Sequence, residues 1–337
     1  MKLAILSPVA WRTPPRHYGP WEQVASNIAE GMVQKGIDVT LFATADSITT
    51  GNLKSIIPVG YEEDKSVDPK VAECMHIGYL MEHAHEYDLI HNNFDFLPLT
   101  YSGLIKTPMI TTIHGFSSQK IIAVYKKYNK FNTYISISNS DRSPELNYAA
   151  TIYNGIGKEQ FTFRQEQGNY LLYFGRIHPD KGTYESILIA KKAKMKLLIS
   201  GIIQHQQYFI EKIKPLLNDD DIVFLGSSGP DRRDQLLGGA FALLHPISFN
   251  EPFGLSVAEA MFCGTPVIAF NKGSMPELIE NTRTGYLVGN IDEAVERVKD
   301  IPSVDRAHCR KWAESKFSKE KMTEDYLAVY RAILGNQ

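Results

Sequence analysis

The sequence predicts an α/β protein made of two Rossmann-like domains facing each other across a cleft. Three observations carry this. Short apolar runs alternate with stretches of helical periodicity along most of the chain. The alternation lapses once, in the polar stretch 155–168 (GIGKEQFTFRQEQG), and then restarts. The length, 337 residues, exceeds one ordinary core and fits two domains.

The first cycle opens with Lys2–Pro8, a compact apolar run expected as a central strand. A loop rich in Pro, Arg and aromatics follows, Trp11–Pro20. Trp21–Gln34 has helical spacing (Trp21, Val24, Ala25, Ile28, Ala29, Met32), with Gly36 as its stop. Strands are expected at Val39–Ala43, Lys54–Gly60, from Asp88 to His91, and at Met109–His114, Tyr134–Ser138 and Thr151–Asn154. Pro69–Glu86 reads as helix. In the second half, strands are expected at Tyr170–Gly175, Lys196–Gly201, Ile222–Gly226, Ala240–His245, Val267–Phe270 and Gly285–Val288. Helices are expected at Tyr184–Ala193, Gln206–Leu217, Asp231–Leu237 and Leu255–Cys263. The tail, Val304–Leu334, reads as helices anchored by Trp312, Phe317, Met322, Tyr326 and Tyr330. The boundary is placed in the polar stretch, giving domains of residues 1–160 and 161–315 and a terminal helix from 316 on.

Composition narrows the function classes. A net charge of −2 gives no global basic field for nucleic acid. Three scattered cysteines exclude a full disulfide framework or a Cys-rich zinc site and fit reduced thiols in the cytoplasm. The N-terminus is expected as a buried strand, not a signal peptide. No apolar stretch approaches the ~20 residues of a membrane span.

Ligands of open α/β sheets bind beyond the carboxyl ends of strands, so those loops hold the candidates. After the first strand comes Tyr18-Gly19-Pro20-Trp21-Glu22, a Gly turn that lets backbone approach an anion, or simply a tight turn with a helix-start acid. It is not G-x-G-x-x-G, and no G-x-x-x-x-G-K-[ST] occurs, which disfavours nicotinamide and P-loop sites. His114-Gly115 ends the Met109 strand, either facing a ligand or satisfied structurally. After the Tyr170 strand, Arg176 and Lys181 flank one turn (GRIHPDKG) and either suit a diphosphate, one as a planar fork and one as a point charge, or are ordinary surface cations of a solvated turn. The stretch 249–265 (FNEPFGLSVAEAMFCGT) holds Glu251 before and Glu259 within a helix whose start, at Phe253-Gly254-Leu255, attracts anions. At ~100° per residue, eight steps return to within ~80° of the same direction, so both acids can face one site. A solvated helix face would carry the same two acids; the turn and the separate Arg176/Lys181 loop favour a nucleotide-diphosphate site. Asn218–Asp221 reads as a solvated acidic turn before a strand, and no metal site is expected.

In order along the second half, GRIHPDKG at 175–182, EPFGLSVAEA at 251–260, KGSMPELI at 272–279 and TGYLV at 284–288 resemble family 4 of the retaining glycosyltransferases, with the GT-B fold. IHG at 113–115, SISNS at 136–140 and IYNGI at 152–156 add a looser match in the first half. The resemblance implies transfer of a hexose from a nucleotide-diphosphate sugar to an acceptor hydroxyl, with configuration retained and neither metal nor cofactor. A UDP-sugar is favoured as donor and GDP-mannose comes next. It implies that Arg176 and Lys181 bind the diphosphate, Glu251 the sugar hydroxyls and Glu259 the ribose. Phe253, Gly254 and Leu255 offer backbone to sugar and phosphate, Gly19 approaches the diphosphate, and His114 lines the reacting centre. It also implies a last helix that crosses back to the N-terminal domain. Pro20 departs from the family, which commonly has a second Gly there. Gly157 stands where an Asp often follows. The acceptor, a glycan, a lipid-linked or a small molecule, is expected on the N-terminal domain near Trp11–Trp21 and Phe94–Phe96. The basic, aromatic segment Tyr125–Lys130 is a candidate contact with anionic lipid at the inner membrane face, against a solvated helix face as the favoured reading.

Overall fold

A computed structural model describes residues 1–218 and 220–335. The described chain divides into two compact units. The first comprises Met1–Gly155 together with the chain from Lys319 on, and the second Ile156–Ser318.

The first unit runs β1 (Lys2–Leu6), α1 (Pro20–Gln34), β2 (Asp38–Phe42), β3 (Asn52–Lys54), α2 (Pro69–Glu82), β4 (Leu89–Asn92), β5 (Met109–Ile113), α3 (Ile122–Tyr128), β6 (Thr133–Ser136) and β7 (Tyr148–Thr151). Its sheet is parallel throughout, in the order β3-β2-β1-β4-β5-β6-β7. Side chains of a strand alternate between faces, and β1 shows the result. Leu3 and Ile5 join one buried cluster with Val24, Ile28 and Met32 of α1; Ala4 and Leu6 join another with Ile77 and Leu80 of α2. A sheet buried on both faces explains why β1 reads as a continuous apolar run.

The second unit runs β8 (Tyr170–Phe174), α4 (Thr183–Ala193), β9 (Lys196–Ser200), α5 (Gln206–Tyr208), β10 (Ile222–Phe224), α6 (Pro230–Gly238), β11 (Ala242–His245), α7 (Leu255–Phe262), β12 (Val267–Phe270), α8 (Met275–Leu278), β13 (Gly285–Val288), α9 (Ile291–Val298) and α10 (Arg306–Phe317). Its parallel sheet is ordered β10-β9-β8-β11-β12-β13, the strand order of a dinucleotide-binding domain. The two Rossmann-like domains expected from the sequence are therefore present.

The last helix, α11 (Lys319–Gly335), returns to the first unit. Met322, Tyr326, Leu327 and Tyr330 enter the same cluster as β1 and α1. A buried polar chain fixes this docking. Tyr330 Oη donates to His91 Nδ1 at 2.6 Å, His91 Nε2 donates to Thr112 Oγ1 at 2.8 Å, and Thr112 Oγ1 lies 2.7 Å from Tyr326 Oη. Burial pushes the His91 pKa down to about 3, so the ring is neutral and each nitrogen uses its one role. Trp312, expected as a buried anchor, is half-buried and donates Nε1–H to the Leu278 carbonyl at 2.7 Å.

Three expected elements are corrected. The strand expected at Lys54–Gly60 ends at Lys54, because the Ser55 hydroxyl bonds both the N–H and the carbonyl of Ile57 and turns the chain locally. The strand expected at Thr151–Asn154 lies three residues earlier, at Tyr148–Thr151. The helix expected over Gln206–Leu217 breaks into one helical turn, a π-turn over Phe209–Ile213 and a 3₁₀ turn over Lys214–Leu216. Pro215 has no N–H for the carbonyl four residues back, so the α ladder cannot continue through it.

Tyr330→Phe removes the donor to His91 Nδ1 and leaves that nitrogen buried. It should lower unfolding stability by about 1–3 kcal/mol in urea titration; a loss under about 0.5 kcal/mol would show that the polar chain does not hold α11 in place.

Candidate functional site

Each sheet has a point where the strand order reverses, between β1 and β4 in the first unit and between β8 and β11 in the second. Loops leaving such a pair diverge and open a crevice at the carboxyl edge. In the second unit those loops are 175–182 and 246–254.

The 175–182 loop ends at Gly182, whose φ of 78° lies in the left-handed region; a Cβ there would run into the Pro246 carbonyl oxygen. The loop therefore packs flush on 246–248, where Ser248 N–H donates to the Asp180 carbonyl at 2.9 Å. This close approach carries Lys181 to the other loop. Its Nζ lies 2.6 Å from Glu251 Oε2 and 4.5 Å above the Phe249 ring. Arg176, at the start of the loop, donates to Gln204 Oε1. His245, at the end of β11, sits 3.8 Å from the same Glu251 oxygen. Burial lowers its pKa to about 4, and its Nε2 is buried without a hydrogen bond.

Gly254, with φ 94°, caps α7 and turns the chain into it. The N–H groups of Leu255 and Ser256 belong to the first turn, which has no preceding carbonyls to bond. The 272–279 segment props the loop from behind. Ser274 N–H donates to the Glu251 carbonyl at 3.0 Å and Ser274 Oγ to the Phe253 carbonyl at 2.6 Å. Phe253 is buried, so from it only backbone can reach a ligand. Glu259, also buried, faces Nη1 of Arg233 on α6 at 3.3 Å. The structure thus gathers Lys181 and Glu251 directly, with Gly254 and Leu255 on the same loop; Glu259 follows in α7, and Arg176 stands at the other end of the facing loop.

In the first unit, Gly19 caps α1 and His114 follows β5. The His114 ring stacks on Trp21 at 5.6 Å with an interplanar angle of 24°. Its Nε2 donates to Asn93 Oδ1 at 3.1 Å, while its Nδ1 and Asn93 Nδ2 are buried without partners. Burial lowers the His114 pKa to about 3, which leaves Nδ1 as a bare acceptor beside an unused amide donor. Glu22 is buried under the Gly19 turn and accepts from Trp11 N–H at 3.3 Å. Burial raises its pKa to about 7.

Asn93, His245, Ser274 and Arg233 were not singled out as site residues from the sequence, and Trp21 entered only as one end of the expected acceptor region. Asn93 and His245 stand at strand ends, a legible signal; Arg233, amid ordinary helical charges, gave none. Among the described residues, no three His, Cys, Asp or Glu side chains gather where they could hold a metal ion. Asp219 of the acidic turn lies outside the described residues. In the Tyr125–Lys130 segment Tyr125 is buried, Lys126 pairs with Glu145 at 2.8 Å, and Lys127 and Lys130 lie over Tyr128 and Phe131. No described helix is long and apolar enough to cross a membrane.

Residues 158–318 match the family model described as glycosyl transferases group 1. An uncharacterized glycosyltransferase of Methanocaldococcus jannaschii is 25% identical over 335 residues, covering 86% of this chain and 85% of that protein. N-acetyl-alpha-D-glucosaminyl L-malate synthase of Bacillus anthracis is 32% identical over 154 residues, 43% of this chain and 40% of that enzyme. The crystal structure of Anabaena HepE in complex with UDP-glucose superimposes with a TM-score of 0.74 at 20% identity, covering 98% of this chain and all of that one. The structural likeness shows the GT-B fold expected from the sequence, and the family and sequence matches support a glycosyltransferase.

The buried carboxyl of Glu22 gives a pH signature. In the folded state it keeps its proton up to about pH 7, against an ordinary 4.5. Between those values the folded state binds more protons than the unfolded, so stability falls as pH rises through this window. Glu22→Gln should be more stable than the wild type at pH 8 by roughly 3 kcal/mol, with the gap nearly closed at pH 4.5. Urea unfolding at both pH values tests this; a gap independent of pH would exclude the titration of Glu22.

Proposed function

We propose that this protein is a retaining glycosyltransferase of family 4 type, moving a hexose from a nucleotide-diphosphate sugar to an acceptor hydroxyl without a metal ion. The observation that carries the reading is the meeting of the Arg176–Lys181 loop with Glu251 and the start of α7 at the strand reversal of the second sheet. Two cations and a helix start suit a diphosphate, and carboxylates suit the hydroxyls of sugar and ribose. The UDP-glucose complex of a protein with the same fold supports a UDP-sugar as the favoured donor; GDP-mannose is the next candidate.

In this reading Arg176 and Lys181 hold the diphosphate and balance the charge that grows on it as the glycosidic bond breaks. Glu251 orients the sugar hydroxyls and Glu259 the ribose. Gly254 and Leu255 present backbone N–H groups, and Phe253 backbone, to sugar and phosphate. Gly19 approaches the diphosphate. His114, neutral and with Nδ1 unpartnered, accepts a sugar hydroxyl near the reacting carbon. The acceptor oxygen attacks the anomeric carbon on the face that the diphosphate leaves. A leaving phosphate oxygen takes the acceptor proton, and configuration is retained. The acceptor is a glycan, a lipid-linked or a small molecule bound by the N-terminal unit. The paired and stacked lysines of the Tyr125–Lys130 segment favour a solvated face over a lipid contact.

A thermal-shift screen with UDP, GDP and ADP sugars identifies the donor, since a tight ligand in large excess adds ~3–4 kcal/mol to stability. Release of free nucleotide diphosphate that depends on an added acceptor separates transfer from epimerase or phosphorylase chemistry. Arg176→Ala and Lys181→Ala should each lower kcat about 10²-fold or more with donor KM changed less; wild-type kcat in both variants would remove their assigned role.

A further inference from the structure

Glu259 and Arg233 form a pair whose geometry is informative. Glu259 is 7% exposed, and its one charge partner among the described residues is Arg233, with Nη1 3.3 Å from Oε1. No described donor makes a hydrogen bond to either carboxylate oxygen. The charge is matched, yet the acceptor capacity of both oxygens is unspent. Neither oxygen is among the fully enclosed atoms left without a partner, so both stay open to donors that arrive with a ligand. Two O–H groups on adjacent ring carbons, as on a ribose, supply two donors.

Arg233 is itself held from the other side. Its guanidinium lies 5.1 Å over the ring of buried Phe161, and Nη2 donates to Gln160 Oε1 at 3.4 Å. A planar guanidinium can stack and pair at once, which an ammonium does not reproduce. Its Nε is buried without a hydrogen bond, so the side chain is fixed by stacking and charge and not by a saturated bonding network.

We infer that Arg233 is a positioning residue that keeps the Glu259 carboxylate aimed at the ribose diol of the donor nucleotide. The inference rests on the reading of Glu259 as the ribose ligand. Arg233 acts through Glu259 and not by touching the nucleotide. Without it, Glu259 has no counter-charge to hold it in place, and its carboxylate turns toward water and away from the diol.

Calorimetric titration of the full chain with UDP, GDP and ADP, and with their 2′,3′-dideoxy counterparts, tests this. The wild type should bind one ribonucleotide about tenfold to a hundredfold more tightly than its dideoxy form. Arg233→Ala should lose affinity for the ribonucleotide and narrow that ratio to about threefold or less. Arg233→Lys, which restores charge without the planar stack, should fall between. A lost fold alone would weaken both ligands together and leave their ratio unmoved. Should Arg233→Ala melt below the assay temperature, Arg233→Gln carries the same comparison. A folded Arg233 variant that keeps the wild-type ratio, or loses both ligands equally, overturns the inference. A wild type that binds a nucleotide without preferring the ribo form, or binds none of the three, overturns the ribose reading of Glu259 and this inference with it.

Discussion

The second unit depends on one close passage, that of the Gly182 backbone against the Pro246 carbonyl. A parallel sheet with reversed strand order sends the loops after β8 and β11 apart. Only a residue without a Cβ lets them touch again, and the Ser248–Asp180 hydrogen bond then locks the contact. Lys181 reaches Glu251 because of it. The 272–279 segment extends the same logic one layer back, since Ser274 holds two carbonyls of the loop that carries Glu251. Motifs far apart in sequence are thus parts of one support, and the spacing between them reflects the sheet and not the chemistry.

The two acids of this region illustrate opposite ways of keeping a carboxylate in a protected place. Glu251 is bonded directly to Lys181, and both side chains are 13% exposed. The Lys181 ammonium has three N–H donors and spends one of them on this carboxylate. Glu259 has its counter-charge at ion-pair distance but no hydrogen bond to give up. One acid is tied to its counter-charge by a hydrogen bond, and the other faces its counter-charge without one.

The alternation of strands and helices was legible because both sheets are buried on both faces, which makes their strands continuous apolar runs. Lys2–Leu6, Met109–Ile113 and Tyr170–Phe174 all fall inside the expected spans. The elements that differ are those where local chemistry overrides the pattern: the Ser55 turn, the Pro215 break, and the edge strand β7, whose register is irregular against β6. The loops of the candidate site were legible from Gly, Pro and paired charges at strand ends. Its supporting contacts were not. Arg233 is one of two adjacent arginines on a polar helix, and only the packing of α6 against α7 distinguishes it from Arg232. Trp21 looked like an ordinary helical anchor until its ring was found lying on His114.

The route of the chain has a consequence for how the protein is made. The second unit is a continuous segment whose ends lie side by side, since Ile156 and Ser318 form a parallel bridge. It has all its parts as soon as Ser318 has emerged from the ribosome. The first unit, although begun first, lacks one wall of its core until α11 is synthesised. At ribosomal speeds of about 5–20 residues per second, the apolar faces of β1 and α1 wait roughly 10–30 s beyond Gly155 for Tyr326 and Tyr330. During that interval the half-finished unit is the part of the nascent chain most exposed to aggregation and to chaperones, and loss of the segment from Lys319 on would damage the unit that was begun first.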